Sequence, residues 1–186
     1  MGSSGFRNAT RERLDVGMTS PTIRELTAAD WDQVRTIFAE GIATGHATFE
    51  PEPPTWEGFT TGKVTHSRFV ATRSDGAVVG WVAASPVSSR PVYAGVVEHS
   101  VYVMDAARGQ GVGRALLEAF IESAEANGVW TIQSSIFPEN SASIGLHAEF
   151  GFRSVGRRER IALMTYGPLA GQWRDTVFME RRSSLT

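Results

Sequence analysis

Glu98 lies in the run VVEHSVYV (96–103), and RGQGVGR (108–114) follows it closely and opens a strongly apolar helical pattern. A carboxylate one strand-length ahead of such a loop suggests chemistry brought to a bound anion. The first N–H groups of a helix have no partner within it and carry partial positive charge, so glycines there let phosphate oxygens approach. Arg108 and Arg114 can add charge-assisted hydrogen bonds. A strand carboxylate nearby can accept a proton while a nucleophile attacks. By strand alternation Glu98 shares a face with Ser100 and Tyr102, opposite His99 and Val101. His99 therefore reads as structural or merely nearby, and Glu98 could instead be a solvated or ion-paired strand residue.

Three phosphate-binding patterns compete for the glycine loop. A P-loop needs a lysine after its last glycine, and none is present. A dinucleotide fingerprint needs G-x-G-x-x-G on an early strand, whereas the spacing here is G-x-G-x-G on a late one. The remaining pattern is R-x-x-G-x-G at Arg108, Gly111 and Gly113, or else a loop that only turns a corner. A second polar set lies in PENSASIGLH (138–147), where Asn140, Ser143 and His147 follow at spacings of three and four. On a helix they share one face, beside an apolar stripe of Leu146 and Phe150. His147 there can orient a substrate, assist proton removal, or do neither.

The elements that must position these residues are legible from periodicity. TIRELT (22–27) reads as a strand and Thr27–Asp30 as a variant capping box, with Trp31, Val34, Ile37 and Phe38 at helical spacing after it. Residues 41–59 are rich in Gly, Pro and aromatics with little period, an irregular stretch of the kind that is often functional. RFVATR (68–73), an Asp75-Gly76 turn and 77–87 predict an antiparallel hairpin. A strand over 95–104 precedes a helix over 113–127 whose stripe is Leu116, Leu117, Phe120, Ile121 and Ala124. A strand at 129–137, a short helix over 138–150 and two neighbouring strands, 151–163 and 173–182, complete an α/β domain with a mixed sheet.

Composition bounds the chemistry further. The 186 residues suffice for one domain with a full core, and a net charge of −2 offers no global attraction for nucleic acid or a membrane. The absence of cysteine excludes disulfides, thiolate catalysis and cysteine-ligated zinc. The four histidines show no metal-ligand spacing, so no metal is expected. No stretch approaches the ~18–20 apolar residues of a membrane span. Residues 1–20 lack the apolar core of a signal peptide and are expected to form a poorly ordered leader to a single domain at 21–183, in the cytoplasm.

VEHSVYV, RGQGVGRALL, ENSASIGLH, FGFRSVG and WRDTVFMER, in that order over residues 22–182, resemble the GNAT superfamily of N-acetyltransferases, and within it the phosphinothricin and methionine sulfoximine acetyltransferase branch. The resemblance implies a GNAT fold, with a mostly antiparallel mixed sheet of about six to seven strands flanked by helices. It implies acetyl-CoA as cosubstrate, its pyrophosphate on the amides of Arg108, Gly109, Gln110, Gly111, Val112, Gly113 and Arg114. Its pantetheine would lie along the backbone of Val101, Tyr102 and Val103, with Asn140 and Ser143 near the thioester. Glu98 would be the base and His147 a second active-site group.

The same resemblance implies an acceptor loop at ATFEPEP (47–53) and a substrate strand at SRPVYAG (89–95). Phe49 could then pack on the acceptor side chain and Arg90 fork onto its carboxylate, though the one could be a core anchor and the other a surface arginine. Tyr102 and Tyr166 are both available to protonate the leaving thiolate. The run MTYGPLAGQWRD departs from the branch's GYKFGRWxD-like pattern, which leaves the acceptor open. The expected function is acetyl transfer to the α-amine of a small amino-acid-like acceptor by direct attack, in a homodimer. A different amine, such as a protein N-terminus or polyamine, and a non-catalytic acyl-CoA-binding module remain alternatives.

Overall fold

The computed structural model describes residues 20–184, so most of the expected leader over 1–20 lies outside the described residues. Seven strands form one sheet: β1 (Thr22–Glu25), β2 (Phe69–Thr72), β3 (Val78–Pro86), β4 (Val96–Val103), β5 (Thr131–Ile136), β6 (Arg153–Leu163) and β7 (Trp173–Arg182). Their order is β1-β2-β3-β4-β5-β7-β6, antiparallel throughout except for the parallel pair β4–β5. The final strands are antiparallel neighbours as expected, but β7 lies inside β6, which becomes the edge.

Four helices cover the sheet: α1 (Trp31–Ala43), α2 (Trp56–Thr61), α3 (Val112–Ala126) and α4 (Ser141–Glu149). On one face Trp31, Val34, Ile37, Phe38 and Ile42 of α1 meet Val70, Val78, Trp81 and Ala83. On the other, the predicted α3 stripe packs on Val79, Val82, Val97 and Ile132, and every member of that stripe is buried. Burying a side chain of this size stabilises by about 1.5–3 kcal/mol, so these stripes fix the helices to the sheet. Asp30 accepts from the N–H and hydroxyl of Thr27 and takes the Arg24 guanidinium at 2.6 and 2.8 Å, which anchors the start of α1.

Helix α2 replaces part of the stretch expected to be irregular. Thr55 caps it by accepting from the Gly58 N–H, and Phe59 is its buried anchor. Asn140 lies before α4 rather than on it, as its N-cap, with its side-chain oxygen accepting from the Ser143 N–H.

The feature that shapes the site is where β4 and β5 part. They pair through Val96↔Thr131, Val97↔Ile132 and Glu98↔Gln133 and no further. Beyond that rung β4 stays with β3 to Val103 and β5 stays with β7 to Ile136. Tyr102 stacks on Trp81 at 4.6 Å and draws the first strand toward α1, while Phe137, after β5, packs against Phe49 and Arg174. The strands therefore open a wedge whose apex is Glu98.

Candidate active site

A cleft of about 660 Å³ runs along the β4 side of the wedge, and a smaller chamber that shares Val101, Tyr102, Asn140 and Ser143 with it reaches β5. One wall is the backbone stretch Val101, Tyr102 and Val103. The start of α3 supplies Arg108, Gly109, Gly111, Val112, Gly113 and Arg114, and the α4 side adds Asn140 and Ser143. Eleven of the residues expected to hold a coenzyme thus line one cavity, and its size suits a cofactor. Gln110 does not line it; its side-chain amide donates to the Ala106 carbonyl at 2.8 Å and fastens the loop instead.

Gly111, at the N-cap of α3, has φ +80, and an added Cβ would meet nothing within 4 Å. The backbone there is left-handed and open, so its amides can be approached. Arg108 is paired with Asp105, and Arg114 with Glu149, both on the exposed rim. Exposed pairs of this kind are weak, so both guanidiniums can be recruited by an anion. Gly41 serves packing instead. An added Cβ would lie 2.7 Å from the Tyr102 ring, so only glycine lets α1 lie against that tyrosine.

Glu98 sits at the apex, half-buried, outside the residues that line the cleft. Its carboxylate accepts from the Gln133 amide at 3.0 Å and the Ser135 hydroxyl at 2.8 Å. Spare lone pairs remain on both oxygens for a further donor. Lys63 lies toward the same side, bonded to Ser85, which pairs with Glu98 across β3 and β4. Burial pushes the Lys63 ammonium down, against the pull of the Glu98 and Glu50 carboxylates.

His99 is not a bystander. It meets His147 in a small polar chamber at the inner end of the wedge, Nε2 to Nε2 at 3.0 Å, and both rings are buried. His147 Nδ1 faces the Ser143 carbonyl at 2.6 Å, and His99 Nδ1 faces the Gln133 carbonyl at 3.2 Å. Carbonyls only accept, so both Nδ1 atoms would need protons, and the Nε2 pair needs a third between them. Two neutral rings hold only two. Burial pushes both imidazoles below their ordinary range, His99 to about 3, and their ring neighbours are Phe120 and Phe152. The neutral pair therefore gives up the longer contact: His99 carries Nε2–H and donates to His147, which carries Nδ1–H. Both nitrogens of His147 are engaged in this arrangement.

Phe49 packs edge-on against Phe137 at 4.9 Å, and Arg90 is exposed over the Tyr93 ring, so neither lines the cleft. The Tyr102 hydroxyl donates to the Ala47 carbonyl at 3.3 Å and the Tyr166 hydroxyl to the Thr48 carbonyl at 2.8 Å; burial raises both phenols. Tyr102 lines the cleft and Tyr166 does not. Sequence reasoning missed Arg174, which is buried and reaches the Gly45 carbonyl, His46 and Glu139 while lying over Phe137. It ties the loop after α1 to the entry of α4 and so holds both lips of the cleft. Only its place in the WRD run hinted at it.

Among the described residues no group of three His, Cys, Asp or Glu is placed to hold a metal ion, and no helix is long and apolar enough to cross a membrane.

A family model described as the acetyltransferase (GNAT) family matches residues 27–152. The L-methionine sulfoximine/L-methionine sulfone acetyltransferase of Pseudomonas aeruginosa is 32% identical over 166 residues, covering 87% of this chain and 94% of that protein. The phosphinothricin N-acetyltransferase of Alcaligenes faecalis is 33% identical, covering 92% and 87%. A crystal structure of a phosphinothricin acetyltransferase from Sinorhizobium meliloti in complex with AcCoA is similar with a TM-score of 0.78 at 30% identity, covering 90% of this chain and 92% of that one.

Proposed function

The chain belongs to the GNAT acetyltransferase family, and on that premise we propose that it moves acetyl from acetyl-CoA to the α-amine of a small amino-acid-like acceptor of the methionine sulfone, methionine sulfoximine or phosphinothricin type. The observation that carries this reading is the wedge: a coenzyme-sized cleft runs from an open helix N-terminus to a strand gap, and a carboxylate stands at the apex of that gap.

In this scheme the amides of Gly109 to Arg114 take the pyrophosphate, helped by Arg108 and Arg114. The pantetheine lies along Val101–Val103 with Asn140 and Ser143 beside it, and the thioester reaches toward the apex. A free α-amine is mostly protonated at neutral pH, so it must lose a proton before it attacks. Glu98 accepts that proton, the nitrogen attacks the thioester carbon, and the tetrahedral intermediate expels the CoA thiolate, which takes up the second proton that the nitrogen sheds as the amide forms. The balance is ammonium plus thioester giving amide, thiol and one proton. With no cysteine in the chain to carry the acetyl group, transfer is direct. His147 acts as a fixed wall of the chamber, holding Ser143 through its Nδ1–H. Phe49 and Arg90 border the acceptor side from outside the cleft. The setting we propose is a cytoplasmic homodimer that detoxifies amino-acid analogues.

The test is thiol release from acetyl-CoA against a panel of amines. Turnover of methionine sulfone or phosphinothricin in preference to polyamines and peptide N-termini is expected. Tight acetyl-CoA binding without turnover of any amine overturns the reading in favour of a binding module.

A further inference from the structure

Arg158 stands in the RRER run of β6, outside every motif quoted above. Its guanidinium donates to the Ser135 hydroxyl and lies over the Phe178 ring at 4.7 Å, with the side chain otherwise exposed. Most neighbouring arginines of the last two strands are taken up, Arg153 by Glu180, Arg157 by Asp175, Arg174 by Glu139 and Arg181 by Glu125, while Arg160 lies over Trp173 and has no hydrogen bond to Ser135. Among the described residues no carboxylate pairs with Arg158. A planar guanidinium with open donors matches the two oxygens of a carboxylate, and the ring beneath holds it in place.

Its position gives it a partner in the chemistry. Ser135 is the hydroxyl that donates to Glu98, so a single side chain separates the guanidinium from the carboxylate at the apex. The register puts them on one face: Glu98 is opposite Gln133, Ser135 is two residues on and opposite Phe178, and Arg158 is opposite Thr176. Thr176 is buried, and its hydroxyl has no hydrogen-bond partner among the described residues. That hydroxyl is closed off beneath the strand, so the guanidinium of Arg158 is the group on this face left open to a ligand.

We propose that Arg158 receives the α-carboxylate of the acceptor while Glu98 receives its α-amine, so that the site selects α-amino acids over simple amines. The two poles of the substrate hang from one carbon, and the two receptors lie either side of one serine. The proposal rests on the acetyl-transfer reading for the identity of the amine, but its test does not depend on turnover. Arg90, implied by family resemblance, is the competing receptor.

The experiment compares methionine sulfone with its carboxylate-free counterpart, 3-(methylsulfonyl)propylamine, in titration calorimetry against the CoA-bound protein and in steady-state turnover. Wild type is expected to bind the amino acid ~10–100-fold more tightly, the worth of hydrogen bonds to a charged group. Arg158→Ala should abolish that preference in both binding and kcat/KM, with the KM for acetyl-CoA unchanged. Arg158→Lys should restore part of it, because charge returns without the fork. The proposal is overturned if Arg158→Ala leaves the preference intact, if Arg90→Ala removes it instead, or if wild type shows none. Failure of the enzymatic reading looks different: no thiol release from wild type, whatever the binding preference.

Discussion

Gln133 and Ser135 hold the Glu98 carboxylate by one oxygen each, so replacing it with the isosteric amide changes the chemistry more than the shape. On the proposed mechanism Glu98→Gln lowers kcat by ~10²–10⁴-fold at neutral pH, the usual share of a positioned base. A wild-type kcat in steady-state assays would remove Glu98 from that role. The histidine pair makes a second residue-scale prediction. Long-range 15N NMR at neutral pH should find His99 protonated at Nε2 and His147 at Nδ1; the reverse tautomer at either ring would contradict the hydrogen-bond accounting. The pair also has a stability signature. His99 is held to about 3 in the fold against an ordinary value near 6.5, so between those values the unfolded chain binds a proton that the folded one refuses. Stability is then complete above ~6.5 and falls as the pH drops, by up to about 1.4 kcal/mol per unit for this group. His99→Gln should flatten that slope in urea titrations. Sequence alternation held no sign of this contact: it put His99 on the face opposite Glu98, correctly, and what that face would meet came from α4, 48 residues on. Arg158 was equally hidden within the charged run RRER, because only strand register tells which of its side chains faces Glu98.

Helix α3 was legible because its fifteen residues repeat an apolar stripe along their whole length, and every stripe position is buried. Helix α2 has six residues, no room for a period, and a start signalled only by Thr55 after two prolines. The loop before α3 carries its information in backbone freedom rather than pattern, which a glycine spelling does reveal. Gly111→Ala forces an L side chain into the left-handed region at about 1–2 kcal/mol. That predicts a Tm lower by a few degrees and a raised KM for acetyl-CoA, since the new methyl stands among the amides proposed to bind phosphate. Gly76, at φ +85 in the β2–β3 turn with nothing within 4 Å of an added Cβ, is the control. Its alanine variant should cost similar stability and leave that KM alone. Equal KM values for both variants would take the pyrophosphate off the loop.

At the scale of the molecule, the sheet is continuous in number and interrupted in bonding. The α/β class, the strand count and most boundaries could be read from local pattern. The insertion of β7 between β5 and β6, and the rung at which β4 and β5 separate, could not, because pairing is decided between segments that lie far apart in sequence. Two strand halves joined at three rungs should be loosened most easily at the wedge. Acetyl-CoA, binding only the folded state, is expected to stabilise it by about 2.7 kcal/mol at a hundredfold excess over Kd. Hydrogen exchange should slow across Ser100–Val103 on binding; slowing confined to α3 would place the pantetheine elsewhere.

A strand edge is ordinarily a risk on the outside of a sheet, where a passing chain can add itself, and edges are commonly blunted by charge or by distortion. β6 follows that practice, with arginines along it and a break in register between Arg158 and Ala162. The wedge creates two more edges in the interior, and these carry Val101, Tyr102, Val103, Ser134 and Ser135 with no charge among them. Their protection is geometric: they diverge from a closed apex, too narrow at one end for a whole strand and open only to something slender. A pantetheine arm threaded there would take the place of the missing strand, giving the unpaired amides and carbonyls of both edges the partners that the sheet withholds.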